Sequence, residues 1–277
     1  MEIDKPSCVY DLKDRSAVVT GAAGAIGYGI CKALLNANCR VCATDVIREN
    51  LDRLVDELKQ KFEERITGTL MDVTDENSVR DGIEYAVKTY GRLNIGIINA
   101  GMAHVSLLKD MDVSAFRKSE KINVEGTLLV LRALGKYLEK QNTGGDIVLI
   151  STKNVFAPGA GFGAYSATKS AAHQLARIAS LEFAPMNVRV NMVAPDAVFS
   201  EGGIKSGLWQ TVGPDRMKAR GLDEKGLEEY YRTRNLLKTK ITATDVANAV
   251  LFFVSRQTPT TGATIPVDGG LPDATPR

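Results

Sequence analysis

Residues 16–37 read SAVVTGAAGAIGYGICKALLNA. The first five are an apolar run, which ends in a turn rich in glycine and alanine. From Ile26 onward the apolar residues recur at helical spacing. A strand, a tight turn and a helix form the opening half of a β-α-β unit. The same alternation continues outward from this stretch. Strands are expected at RVCATD (Arg40–Asp45), ITGTLMD and LNIGIINAG, separated by helices over about Glu49–Phe62 and Asp75–Tyr90. A long helix over roughly Val113–Lys140 precedes the strand DIVLI (Asp146–Ile150), and a helix over about Gly163–Ala184 follows it. VRVNMV and a last strand near GATIPVD bring the strand count to seven. Alternating strands and helices pair in parallel through right-handed crossovers. The expected fold is therefore α/β, a Rossmann-like doubly wound parallel sheet with helices on both faces. It occupies one domain over residues 1–277.

The segment from Asp196 to Lys240 breaks the rhythm: it is long, polar and rich in Lys, Arg and Tyr. Long connections in compact domains are usually lids or binding loops. This one is expected to be a substrate lid carrying one or two short helices, including EKGLEEYYRTR.

Composition narrows the partners. Lys and Arg number 35 against 33 Asp and Glu, a balance that supplies no field for nucleic acid or a bilayer. A small-molecule substrate is expected. The first residues carry mixed charges without a signal-like apolar run, and no later stretch has membrane-spanning length, so a cytoplasmic location is expected. Of the four cysteines, Cys39 and Cys42 match C-x-x-C, but residues three apart on a strand point to opposite faces. No second ligand pair completes a metal site. Buried apolar roles are expected for them, and no metal.

Motifs collect at the carboxyl ends of the strands, where such sheets bind ligands. Gly21 and Gly27 bracket a turn whose backbone N–H groups and helix N-terminus can meet a pyrophosphate. Asp45 ends the second strand 24 residues after Gly21, where a carboxylate accepts hydrogen bonds from an adenosine ribose and repels a 2′-phosphate; the cofactor expected is NAD. Arg48 lies close enough to soften that discrimination. Asp72-Val73 and Asn99-Ala100-Gly101 end the next two strands, where they can border the cofactor; helix capping by Asp72 and an ordinary loop at Asn99 are the alternatives. Tyr165 and Lys169, at i and i+4, share one helix face. An ammonium beside a phenol favours the phenolate, which would make Tyr165 a usable acid or base.

Taken together, TGAAGAIG, Asp45, Asp72-Val73, the NAG at 99–101, INVEG with Asn123, the hydroxyl before YSATK, RVNMVAPDAV and TGATIPVDGG resemble the short-chain dehydrogenase/reductase family from about residue 14 to 270. The resemblance implies NAD contacts at Gly21, Gly24, Ala25, Ile26, Gly27, Asp45, Asp72, Val73, Asn99, Ala100, Gly101, Tyr165, Lys169, Pro195 and Val198. It implies that Tyr165 is the acid/base, that Lys169 holds the nicotinamide ribose, and that Asn123 supports a proton-relay water. The family's substrate-orienting hydroxyl lies 13 residues before the tyrosine, which implies Thr152, with Ser151 as the alternative. A homotetramer is implied as well. Two positions depart from the family pattern: Ala25 replaces the middle glycine of the turn, and Asp196 replaces the usual glycine after Pro195. Asp196 is expected either to bind a substrate hydroxyl or to cap a turn.

Substrate contacts are expected from Thr152, Lys153, Asn154, Asp196 and Trp209, with His104 nearby. Lid residues Lys205, Arg216, Lys218, Arg220, Arg232 and Arg234 favour a polar polyol, hydroxyaldehyde or deoxysugar, with or without an anionic group. STKN, NMVAPDAVF and EEYYRTRNLLK, with the Pro-Arg tail, resemble the dehydrogenase portion of bifunctional rhamnulose-1-phosphate aldolase/lactaldehyde dehydrogenases. The likeness to sorbitol-6-phosphate dehydrogenases is more distant. The leading reading is an NAD-dependent oxidoreductase acting on a secondary alcohol or carbonyl. The alternative is a non-catalytic NAD(H)-binding redox sensor on the same fold.

Overall fold

Strands β1 (Ser16–Thr20) and β5 (Gly145–Ile150) are buried along their whole length, as strands covered by helices on both faces must be. With β2 (Arg40–Asp45), β3 (Ile66–Leu70), β4 (Ile95–Ile98), β6 (Val188–Pro195) and β9 (Thr264–Val267) they form one seven-stranded sheet. Its order is β3-β2-β1-β4-β5-β6-β9, and every pairing is parallel. The expected doubly wound sheet is therefore observed. The computed structural model describes residues 10–201 and 203–271; Cys8 and the Pro-Arg tail lie outside them.

Side chains alternate along the strands to fill two cores. Val19, Val41, Ile97 and Val148 meet the inner faces of α1 (Ala25–Asn36), α2 (Arg48–Phe62) and α9 (Ala243–Val254). Val18, Ile98, Ile147 and Leu149 meet α3 (Glu76–Tyr90), α5 (Gly126–Gln141) and α6 (Gly163–Glu182). Helix α9 was not anticipated, although its start carries a reciprocal Thr242/Asp245 capping box.

The single helix expected over 113–140 is interrupted. α4 (Val113–Glu120) passes through a π turn, Lys121–Glu125, into α5. Single π turns inside helices cluster at functional positions, and this one carries Asn123. The lid contains the short antiparallel pair β7 (Ser200–Glu201) and β8 (Ile204–Lys205), which was not expected. Two helices follow it, α7 (Gly207–Arg220) and α8 (Glu224–Arg234).

Cys31, Cys39 and Cys42 are buried and unpaired with one another. Burial pushes the Cys39 and Cys42 thiols up to about 12, which leaves them inert at neutral pH.

Candidate active site

A cleft of about 1160 Å³ runs along the carboxyl ends of the strands, where the chain order reverses between β1 and β4. It brings together Gly21, Gly24, Ala25, Ile26, Gly27, Asp45, Asp72, Val73, Asn99, Ala100, Gly101, Pro195 and Val198 with Thr152, Lys153, Asn154, Tyr165, Lys169, Asp196 and Trp209. Asn123 and His104 are not on its wall.

The glycine turn is held from two sides. Gly21 adopts φ +60°, and a Cβ there would stand 2.8 Å from the Cα of Ala100. The Asn99 amide donates to the carbonyls of Thr20 (3.1 Å) and Gly21 (2.8 Å), while the N–H groups of Asn99 and Ala100 donate to the Thr20 hydroxyl. From the other side, an Asp45 carboxylate oxygen accepts from Ala23 N–H at 3.1 Å. Its second oxygen accepts from Ile47 N–H. Helix α1 starts at Gly24 without a side-chain cap, so the N–H groups of its first turn have no side-chain acceptor beside the cleft. The substitution of Ala25 for glycine does not disturb the turn, because Ala25 is a buried first residue of α1. A narrow glycine turn, an uncapped helix N-terminus and a carboxylate at the next strand end fit the pyrophosphate and ribose of a dinucleotide.

Asp72 is not the helix cap: it closes a turn by accepting from the Thr74 N–H and hydroxyl, both at 2.8 Å. The cap of α3 is Asp75. The Asn123 side chain stands directly behind the cleft wall, its oxygen beside Gly101 and Lys169 Nζ. Its amide nitrogen donates to Met102 O and to the Thr168 hydroxyl, and its oxygen accepts from Met102 N–H, all at 2.9 Å. Asn123 thus ties the loop after β4 to α6.

The two adjacent hydroxyls separate. Ser151 and Thr152 both line the cleft, but the Ser151 hydroxyl is taken up by His173 Nδ1 at 2.9 Å. The Thr152 hydroxyl accepts from Asn154 N–H at 3.2 Å and stands near enough to Tyr165 to favour its phenolate. Lys169 is buried, and its ammonium donates to Ile150 O at 3.0 Å.

The electrostatics differ from the expectation that Lys169 lowers the Tyr165 pKa. Burial pushes Tyr165 up to about 12, opposed by the Thr152 hydrogen bond and reinforced by the Asp196 carboxylate. Burial also pulls Lys169 down to about 8. The phenol therefore stands protonated at neutral pH. Lys169 gives a testable pH dependence. Between about 8 and its ordinary value of 10.5, the unfolded chain holds a proton that the folded chain has released, so stability rises with pH across that window. Relative to the parent, Lys169→Met is expected to be favoured most below pH 8, with the difference in melting temperature shrinking toward pH 10. A difference independent of pH would contradict this.

Asp196 neither caps a turn nor stands free. It pairs with Arg234 through two contacts, at 2.5 and 3.3 Å. Trp209 stacks on Phe199 at 4.5 Å and meets Tyr231 edge-on, so aromatic lid residues wall this end of the cleft. Arg234, Arg216 and Lys205 lie on the cleft wall, Lys205 paired with Glu224, whereas Arg232 pairs with Glu229 away from it. Only burial separates the two inward arginines from the other lid cations, a distinction the local sequence does not mark.

The short chain dehydrogenase family profile matches residues 15–210. The chain belongs to the short-chain dehydrogenase family. It is 34% identical over 263 residues to the uncharacterized oxidoreductase YuxG of Bacillus subtilis, covering 94% of this chain but 38% of that protein. A diacetyl reductase [(S)-acetoin forming] of Staphylococcus epidermidis is 28% identical, covering 93% and 98% of the two chains. The crystal structure of sorbitol-6-phosphate 2-dehydrogenase SrlD from Erwinia amylovora superposes with a TM-score of 0.84 at 27% identity, covering 92% and 98%. Short-chain dehydrogenases use NAD or NADP, and this chain is an oxidoreductase of alcohol or carbonyl groups. Among the described residues, no helix is long and apolar enough to cross a membrane, and no cluster of three or more potential ligands is placed to hold a metal ion.

Proposed function

We propose that the chain is an NAD-dependent dehydrogenase/reductase that interconverts a secondary alcohol and a carbonyl on a small polar polyol, hydroxyaldehyde or deoxysugar. The observation carrying this reading is the convergence of the Thr152 and Tyr165 hydroxyls with the buried Lys169 ammonium at the end of β5, beside the glycine turn. The bound dinucleotide would accept hydride as NAD in alcohol oxidation and supply it as NADH in carbonyl reduction. Thr152 orients the substrate oxygen and Tyr165, protonated near neutrality, donates to it in the carbonyl-reducing direction. Lys169 supplies positive charge at the cofactor side of that pair. Thr152, Lys153, Asn154, Asp196 and Trp209 line the substrate end.

The likeness to the dehydrogenase portion of bifunctional aldolase/dehydrogenases, and the similarity to a sorbitol-6-phosphate 2-dehydrogenase, support a role in deoxysugar or polyol catabolism. A redox sensor would need none of this proton chemistry, which disfavours that alternative. A homotetramer is part of the same reading; Leu128 on α5 and Ile178 and Leu181 on α6 present exposed apolar surface for it. The test is NAD reduction, followed by absorbance, across polyols, deoxysugars and 2-hydroxyaldehydes; absence of turnover on all of them, with NADH bound, would sink the reading.

Cofactor choice gives a second measurement. Asp45 is the carboxylate facing the ribose position, and Asp45→Ala removes its repulsion of a 2′-phosphate. The ratio of kcat/KM with NADP to that with NAD is expected to rise about tenfold or more, as loss of a charged hydrogen-bond partner predicts. An unchanged ratio would move the discrimination elsewhere.

A further inference from the structure

The substrate end of the cleft holds more positive charge than it neutralises. Lys153, Arg216 and Arg234 all line it, with Asp196 as the carboxylate paired to Arg234. Arg234 is further held over the Tyr231 ring, its guanidinium carbon 4.1 Å from the centroid. Among the described residues, neither Lys153 nor Arg216 forms an ion pair with a carboxylate. Lys153 donates to Ala157 O at 2.9 Å, which uses one of its three protons.

Arg216 is only 8% exposed. One terminal nitrogen donates to Ala160 O at 3.2 Å, and its buried Nε has no hydrogen-bond partner. With Nε shielded by protein, a ligand in the cleft can meet only the terminal nitrogens of Arg216, and a guanidinium held in this setting is costly unless an anion pairs with it. Arg216 is fixed in place, with its guanidinium carbon 4.8 Å from the Phe162 ring centroid. That ring lies 6.1 Å from the ring of Tyr165. The cation therefore packs on the same aromatic ring that packs against the proposed proton donor.

We propose that Lys153 and Arg216 form a subsite for a phosphate monoester on the substrate, with the Asp196–Arg234 pair as its rigid flank. Two uncompensated cations match a phosphate dianion, and an arginine fork suits its oxygens. The subsite deepens the dehydrogenase reading and rests on it, by assigning the substrate to phosphorylated polyols or ketoses oxidised at a carbon distant from the phosphate.

Trp209, the chain's single tryptophan, lies two turns before Arg216 on α7 and reports binding by fluorescence. Inorganic phosphate is titrated against the full chain with NAD saturating, so that the glycine turn does not compete. A saturable change is expected. Its midpoint should weaken about tenfold in Arg216→Gln and in Lys153→Met, as expected for losing a charged hydrogen bond. Lys218→Gln, exposed on the same helix, should leave it in place. Two separate variants, each checked by circular dichroism, guard against misfolding of either. Equal midpoints in the parent and both variants would overturn the subsite, and acetate binding as tightly as phosphate would reassign it to a carboxylate. Arg216-dependent phosphate binding without NAD reduction on any substrate would uphold the subsite and overturn the dehydrogenase reading. Reduction of NAD by neutral polyols with no Arg216-dependent phosphate response would do the reverse.

Discussion

Tyr165→Phe is expected to lower kcat by about a thousandfold, within the range of roughly 10²–10⁴ that positioned acid–base groups contribute, while NADH binds with near-parental affinity. The substitution removes one oxygen from a buried ring and leaves its packing against Phe162 in place. The glycine turn, Asp45 and Asn99, which make up the dinucleotide end, do not touch it. Thr152→Ala should show a smaller loss in the same direction, because it removes the hydroxyl proposed to orient the substrate oxygen beside the Tyr165 phenol. Ser151→Ala should instead alter stability with little effect on kcat, because that hydroxyl is bound to His173. Initial rates, with NADH affinity measured by fluorescence, separate these outcomes. A Tyr165→Phe enzyme turning over within tenfold of the parent would remove Tyr165 from the chemistry.

The strand-and-helix alternation was legible because it depends on local periodicity. Each expected sheet strand is present, and α6 begins at Gly163 as expected. The strand-end residues were legible for a related reason: in a parallel sheet, the residue at the end of a strand has its place fixed by topology. Asp45, Asn99 and Thr152 reach one cleft whatever the side-chain packing elsewhere.

What stayed hidden depends on contacts between distant residues. The Asp196–Arg234 pair spans 38 positions, and nothing beside Asp196 marks its partner. Arg216 looks like any solvated lid cation until the fold buries it on Phe162. The π turn at Asn123 carries continuous helical periodicity through it, and the pairing of Asn123 with Met102 and Thr168 that accompanies it joins residues distant in sequence. The pKa of Tyr165 went the other way from expectation for the same reason. Proximity along the helix was readable, whereas burial of the phenol, and of the lysine meant to lower its pKa, was not.

The first turn of α1 sets the second large expectation. Gly27 lies where the helix presses against the turn: a Cβ there would stand 2.3 Å from the carbonyl oxygen of Gly21 and 2.7 Å from the Cα of Ala22. These are backbone atoms of the same tight turn and cannot swing aside as a side-chain tip would. Gly27→Ala is therefore expected to push the turn away from the helix. Overpacking of this kind costs about 1–3 kcal/mol or more, and here it also displaces the N–H groups that meet the dinucleotide. Gly24, three residues earlier, is the contrasting case, since a Cβ there would be 3.6 Å from its nearest neighbour, ordinary contact. Gly24→Ala should retain the parental urea midpoint, whereas Gly27→Ala should lower that midpoint and weaken NADH binding together. Equal midpoints for the two variants would show that the turn has slack that its backbone contacts do not reveal. A Gly27→Ala protein that is destabilised yet binds NADH normally would separate the packing of the helix from its role at the cofactor.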